Sequence, residues 1–192
     1  MSVNLLEKVQ QNLGYPPLQK IDPNTGQQTE AHTDSNQQFG QAAIPAILTA
    51  LYKYVQSDAG AEDALRGDIS TNWEGKIFHD NNKEALAKIE ACSPGGSIQG
   101  TGKMNAIANE AIKVMKENFG DNAGIKEVKT FFLSQRNNIL PYLLPEINLG
   151  VLLNDDTIDD NTNKMEGPVS SLIKSIGSAF DSPVTGEKTK GF

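Results

Sequence analysis

Hydrophobic residues recur along this chain at intervals of three and four, the spacing that places side chains on one face of a helix. Leu5, Leu6, Val9 and Leu13 form a first stripe that stops at Gly14, a residue suited to closing a helix. QQFGQAAIPAILTALYKYVQS predicts a strongly apolar helix from about Gln37 to Val55. Pro45 lies inside it and is expected to kink it, or to move its start to Ile44, because proline lacks the amide that the helix needs. A short helical segment is expected around Ala61 to Leu65, followed by a linker carrying Trp73 and Phe78. NNKEALAKIEAC places Asn81 three residues before Glu84, a capping-box-like start to a helix whose stripe is Ala85, Leu86, Ile89 and Cys92.

The second half continues in the same period. Met104, Ile107, Ala108, Ala111, Met115 and Phe119 mark an amphipathic helix ending at Gly120. Ile125, Val128, Phe131, Phe132 and Ile139 mark another. In ILPYLLPEINLGVLL, Pro141 and Pro145 should divide an apolar run into short helical pieces. A last stripe, Val169, Leu172, Ile173, Ile176 and Phe180, follows Pro168, which suits a first helical turn. Two-residue alternation is nearly absent, so strands are not expected. The fold class is all-α: a bundle of about six to eight helices with Pro-kinked core helices.

The chain of 192 residues fits one helical domain. Two halves sharing a core, residues 1–96 and 97–181, are an alternative, with residues 182–192 as a tail. LEKVQQNLG (Leu6 to Gly14) aligns with IKVMKENFG (Ile112 to Gly120), and AIPAIL (Ala43 to Leu48) with ILPYLL (Ile139 to Leu144). Duplication would explain both pairs, but chance similarity between amphipathic helices is the simpler account. Pro16, Pro17, Pro23 and the Gln-rich stretch from Gly26 to Gln38 form a long polar connection, expected to be mobile or ordered by a partner.

Composition narrows the chemistry. Aromatic residues make up only 6% and mean hydropathy is −0.42, so Leu, Ile, Ala and Val must build the core. A net charge of −7 with only two arginines, Arg66 and Arg136, argues against a nucleic-acid partner, whose affinity rests on Lys and Arg. No apolar run reaches the roughly 20 residues of a membrane span. Cys92 is the only cysteine, and the opening MSVNLLEKVQQNLGYPP has no basic segment followed by an apolar one. A cytoplasmic location is expected.

The most function-like stretch is NDDTIDDNTNKMEG, Asn154 to Gly167. A twelve-residue calcium loop would draw ligands from Asp155, Thr157, Asp159, Asn161, Asn163 and the bidentate Glu166. Asp160 stands where such a loop needs glycine, Thr162 where it carries an aliphatic residue, and Pro168 would fall inside the exiting helix. A solvated Asx-rich turn fits better, leaving looser cation binding at Asp155, Asp159, Asn161 and Glu166, with calcium the ion in question. Any other cofactor is not expected.

SPGGSIQGTGKM lacks the first glycine and the hydroxyl of a phosphate-binding loop, so it reads as a linker or as the approach to the Met104 helix. His32 and His79 make no metal-binding pair. Cys92 lies on an apolar stripe, which suits a buried, inert thiol better than a nucleophile paired with His79. A hydrolase built on dispersed carboxylates with His79 remains an alternative.

NLLEKVQQNLG, FGQAAIPAILTALYKYVQS and the late GPVSSLIKSIGSAF together resemble the YidB-like family of bacterial proteins of unknown function, mainly over the first 55 residues. The resemblance implies a helical, non-enzymatic protein that tends to self-associate, and it supplies no catalytic residues. The Gln-rich insertion and the length depart from that pattern. The leading expectation is therefore a non-catalytic interaction or self-assembly protein, using a protein partner or a second copy. IPAILTALYKYV and ILPYLLPEINLGVLL are its candidate contact faces, unless they are simply core helices.

Overall fold

The computed structural model describes residues 3–21, 34–68, 70–93, 100–119 and 123–154. All of them belong to one compact unit, Met1–Asn161. Its helices are α1 (Leu5–Asn12), α2 (Ser35–Tyr54), α3 (Asp58–Arg66), α4 (Trp73–Phe78), α5 (Asn82–Ala91), α6 (Gly100–Phe119), α7 (Ile125–Ile139) and α8 (Leu149–Leu153). Short 3-10 turns occupy His79–Asn81, Leu140–Tyr142 and Pro145–Ile147, and no strand occurs among the described residues. The protein is an all-α multi-helix bundle.

α2 is the axis of the bundle. Every residue from Phe39 to Leu51 except Gln41 is buried, and α1, α4, α5, α6, α7 and α8 all pack on it. A helix covered on all sides needs no polar face, which is why its sequence is apolar throughout rather than striped. Pro45 neither starts nor ends it. α2 runs on from Ser35, capped by Asp34, whose side chain accepts from the Asn36 amide at 3.3 Å. One turn beyond the proline, the Thr49 hydroxyl donates to the Pro45 carbonyl at 2.8 Å. The usual cost of an internal proline is carried by the burial around it. The apolar richness of IPAILTALYKYV is thus consumed inside the subunit.

Elsewhere the stripes behave as their spacing requires. α1 buries Leu5, Leu6 and Val9, and the chain turns away from it at Gly14, whose φ of +71° favours glycine. Its first amide is met from a distance in sequence: Leu5 N–H donates to the buried Gln135 Oε1 at 2.9 Å. α6 begins at Gly100, ahead of Met104, so part of the Gly-rich stretch is helical. α7 opens with Glu127 reaching back to accept from the Gly124 amide at 3.1 Å. Pro141 and Pro145 do divide the run after it, into two 3-10 turns and α8.

Two sequence expectations need correction. Trp73 and Phe78 do not lie in a linker; they form α4, where Trp73, Ile77 and Phe78 reach the core. Asn72 starts that helix by accepting from the Gly75 amide at 3.1 Å. Asn81 does not cap α5: a 3-10 turn leads into that helix, and the Asn81 amide donates instead to the Leu152 carbonyl at 2.8 Å. That bond ties α5 to α8. The proposed repeat also differs in form across its second pair, because Pro45 lies within a continuous helix whereas Pro141 ends one.

The connection after α1 is ordered at its start by the chain's own helices. Tyr15 to Ile21 forms no regular secondary structure and is held against α2. The Gln41 side chain clamps its backbone twice, accepting from Gln19 N–H at 2.8 Å and donating to Gln19 C=O at 2.9 Å. Ile21 N–H donates to the Pro141 carbonyl at 2.8 Å. Tyr15 lies over Gly40, where an added Cβ would come within 2.8 Å of the tyrosine ring. At the other end of the connection, Ser35 to Gln38 are the first turn of α2.

Candidate functional site

The outer face of α6 carries the groove that best fits a binding site. Toward the core α6 presents Met104, Ile107, Ala108, Ala111 and Met115, all fully buried. Its opposite side, including Gly102, Asn105, Ala106, Asn109 and Lys113, faces a cleft of about 620 Å³ bounded by Leu13 at the end of α1 and by the Gly67–Asp68 loop. The small side chains of Gly102 and Ala106 keep the floor low. A Cβ added at Gly102 would meet nothing.

The walls are held by polar contacts, most of them between α6 and other segments. Asn105 braces the loop before α4, accepting from Trp73 N–H at 2.8 Å and donating to the Thr71 carbonyl at 3.2 Å. The Lys116 ammonium donates to the Gly67 carbonyl. Asn12 donates to Glu110 at 2.7 Å, and Lys113 pairs with the same carboxylate at 3.2 Å. Gly67 is required here because an added Cβ would lie 2.1 Å from the buried Trp73 ring. At the rim, hydrogen bonds from the Ser70 hydroxyl and amide hold the Asp68 carboxyl below its ordinary range. Both charge signs occur around the groove, and several of its charges are already paired, so its distinguishing chemistry is an apolar floor within a polar frame.

A second polar cluster joins α2, α3 and α4. The Tyr54 hydroxyl donates to Asp63 Oδ2 at 2.5 Å, and the Lys76 ammonium donates to the same oxygen at 2.7 Å. The ammonium and then the phenol hold the Asp63 carboxyl below its ordinary value. Burial and the neighbouring carboxylate push the Tyr54 phenol up to about 12. The phenol is therefore a fixed donor rather than a base near neutrality. His79 lies beside it, with ring centroids 6.2 Å apart, on backbone at φ +47° and ψ −122° that a non-glycine residue seldom adopts. With the Asp63 oxygen already receiving two donors, the cluster acts as a staple between three helices.

Cys92 and His79, weighed above as a nucleophile pair, have different neighbours. The histidine ring rests by Tyr54, whereas burial and then Glu146 raise the Cys92 thiol. A raised thiol is a poor nucleophile. Among the described residues no group of three or more His, Cys, Asp or Glu is placed to hold a metal ion. The candidate cation ligands Asp155, Asp159, Asn161 and Glu166 lie outside the described residues, as does the Val169–Phe180 stripe. No described helix is long and apolar enough to cross a membrane.

The sequence pattern hid the groove. The core stripe of α6 is periodic, but Gly102, Ala106 and Asn109 on the other face read only as a weakly polar helix surface. The groove depends on Leu13 and Gly67, each distant in sequence from α6. No protein-family model, curated protein or solved structure matches the chain.

Proposed function

We propose that the protein is a non-catalytic helical binding module whose α6 groove takes an amphipathic helical segment of a partner protein. The observation that carries this reading is the shape and chemistry of the groove. Its lining runs from Gly102 to Glu117, roughly 22 Å along a helix at about 1.5 Å per residue. A low floor at Gly102 and Ala106 with Leu13 and Ile112 beside it, framed by amides and paired charges, suits a helix laid into it with apolar anchors down. The resemblance to YidB-like proteins points the same way, toward interaction without catalysis. The lone cysteine and acidic charge fit a cytoplasmic setting without a nucleic-acid partner.

Self-assembly through the Pro-bearing segments is the weaker form of the idea. α2 is spent on the core, and Ile139, Leu143, Ile147, Leu149 and Leu152 are buried too. The exposed large hydrophobics among the described residues are Leu133 and Val151, at 56% and 61% exposure on different helices. Single exposed apolar residues of this kind are ordinary protein surface.

Calorimetry of the full chain against a panel of amphipathic helical peptides of graded charge tests the reading. Binding by members of the panel, abolished by Ala106→Arg with the unfolding midpoint unchanged, is the expected result. A panel without a binder, or binding that survives Ala106→Arg, contradicts it.

A further inference from the structure

Among the described residues four polar or charged side chains are buried: Thr49, Glu74, Ser93 and Gln135. Three are matched to backbone groups. The Thr49 hydroxyl donates to Pro45 C=O, the Ser93 hydroxyl to Ile89 C=O, and Gln135 accepts from Leu5 N–H. Glu74, in the first turn of α4, is the exception. It is 2% exposed, and its Oε2 has no hydrogen-bond partner. Asn82, the first residue of α5, interacts with this carboxyl through its side-chain amide. Its own Oδ1 is also buried and also lacks a partner.

These two atoms are both acceptors, whereas the third buried polar atom without a partner among the described residues, Trp73 Nε1, is a donor. An ionised carboxylate has no hydrogen to give, so Glu74 in that form leaves the Asn82 oxygen unmet however the amide is turned. One proton on Glu74 removes both deficits, because it makes Oε2 a donor and gives the Asn82 oxygen something to accept. We propose that Glu74 is held as a neutral acid in the folded protein, its hydroxyl donated to Asn82 Oδ1. The junction of α4 and α5 is thereby a proton-binding site whose deprotonation loosens the fold.

The surroundings agree. α4 packs on α2, α5, α6 and the His79–Asn81 turn. Those elements carry Tyr52, Lys53 and Tyr54 on α2; Lys83, Glu84, Lys88 and Glu90 on α5; Lys103, Glu110, Lys113, Lys116 and Glu117 on α6; and His79 and Asp80 on the turn. None of these groups shifts Glu74. Burial holds its carboxyl above the ordinary value and Asn82 opposes that more weakly. With no cation of the described residues compensating it, the ionised form is the costly one there. The junction is also a structural seam: α4 delivers Trp73, Ile77 and Phe78 to the core, and Asn81 fastens the start of α5 to α8.

The folded chain keeps this proton to a higher pH than the unfolded chain, in which Glu titrates at 4.5. The stability it supplies is complete below that pH and is lost as pH rises through the folded value. Glu74→Gln keeps the shape and carries a permanent donor for Asn82. Denaturant unfolding of the wild type and Glu74→Gln from about pH 4 to pH 8 gives the ratio of their folding equilibrium constants. The ratio should be flat at the acid end and then grow by about tenfold per pH unit until Glu74 ionises in the folded state. In parallel, 13C NMR of the Glu74 carboxyl in the wild type should show it titrating well above an ordinary glutamate. A flat ratio together with an ordinary titration, as an ionised carboxylate served by a bound water would give, overturns the proposal. If Glu74→Gln does not fold, the carboxyl titration of the wild type decides by itself.

Discussion

α2 and α6 are the two longest described helices, each of 20 residues, and they pack against each other at the centre of the bundle. They solve the same packing problem differently. α2 is enclosed by six other helices, so nearly every side chain in its middle is apolar and no stripe is visible. α6 buries one face and leaves the other to a groove, so its stripe is clear. Hydrophobic excess therefore marks the residue run that the core consumes. The face that borders the groove is modest in hydropathy, with small and amide side chains among its lining. A search for apolar segments alone would choose α2 and pass over the groove.

The comparison can be broken most forcefully in α2. Leu48→Ala removes a fully buried side chain from the axis of the bundle and should cost about 2–5 kcal/mol in urea unfolding. A cost below 1 kcal/mol would mean that α2 is not enclosed as described. Gly67→Ala comes next. Its Cβ would strike the Trp73 ring, which cannot retreat from a closed core, and a loss of about 1–3 kcal/mol is expected. An unchanged unfolding midpoint would show that the groove's end wall is not fixed by that contact.

Smaller effects sharpen the picture. The Asp63 carboxyl is held low by Lys76 and Tyr54, so its contribution is present above its unfolded value of 3.8 and fades as pH falls below it. The wild type should lose slightly more stability than Asp63→Asn over that acid range. Parallel curves would assign the staple no role in acid unfolding. On the outer face of α6, Ala106→Arg should leave stability within about 0.5 kcal/mol, because the side chain is exposed. A large destabilisation there would indicate that the groove floor is part of the core.

Much of the fold was legible because helical spacing is local. Leu5, Leu6 and Val9 ahead of Gly14, or Val128, Phe131 and Phe132, need no distant information to declare a buried face. Pro45 misled because its cost depends on the burial around it, and that burial comes from helices elsewhere in the chain. α4 was missed because a six-residue helix holding Gly75 has too few periods to register, although Asn72 before Trp73 and Ile77 was a usable signal. Asn81 carried a capping spacing whose amide was claimed by Leu152, 71 residues away. The candidate site was the least legible part. Its walls join Leu13, Gly67 and α6, and its floor is defined by side chains that are small.

The most direct test of the central claim is a backbone-amide NMR titration of the full chain with the tightest-binding helical peptide of the calorimetric panel. Shifts clustered on Leu13, Gly67 and the outer positions of α6 from Gly102 to Glu117, with α2 unmoved, are the predicted result. Shifts centred on α2 or on the Ile139–Leu153 segment, with the α6 face unmoved, would contradict it.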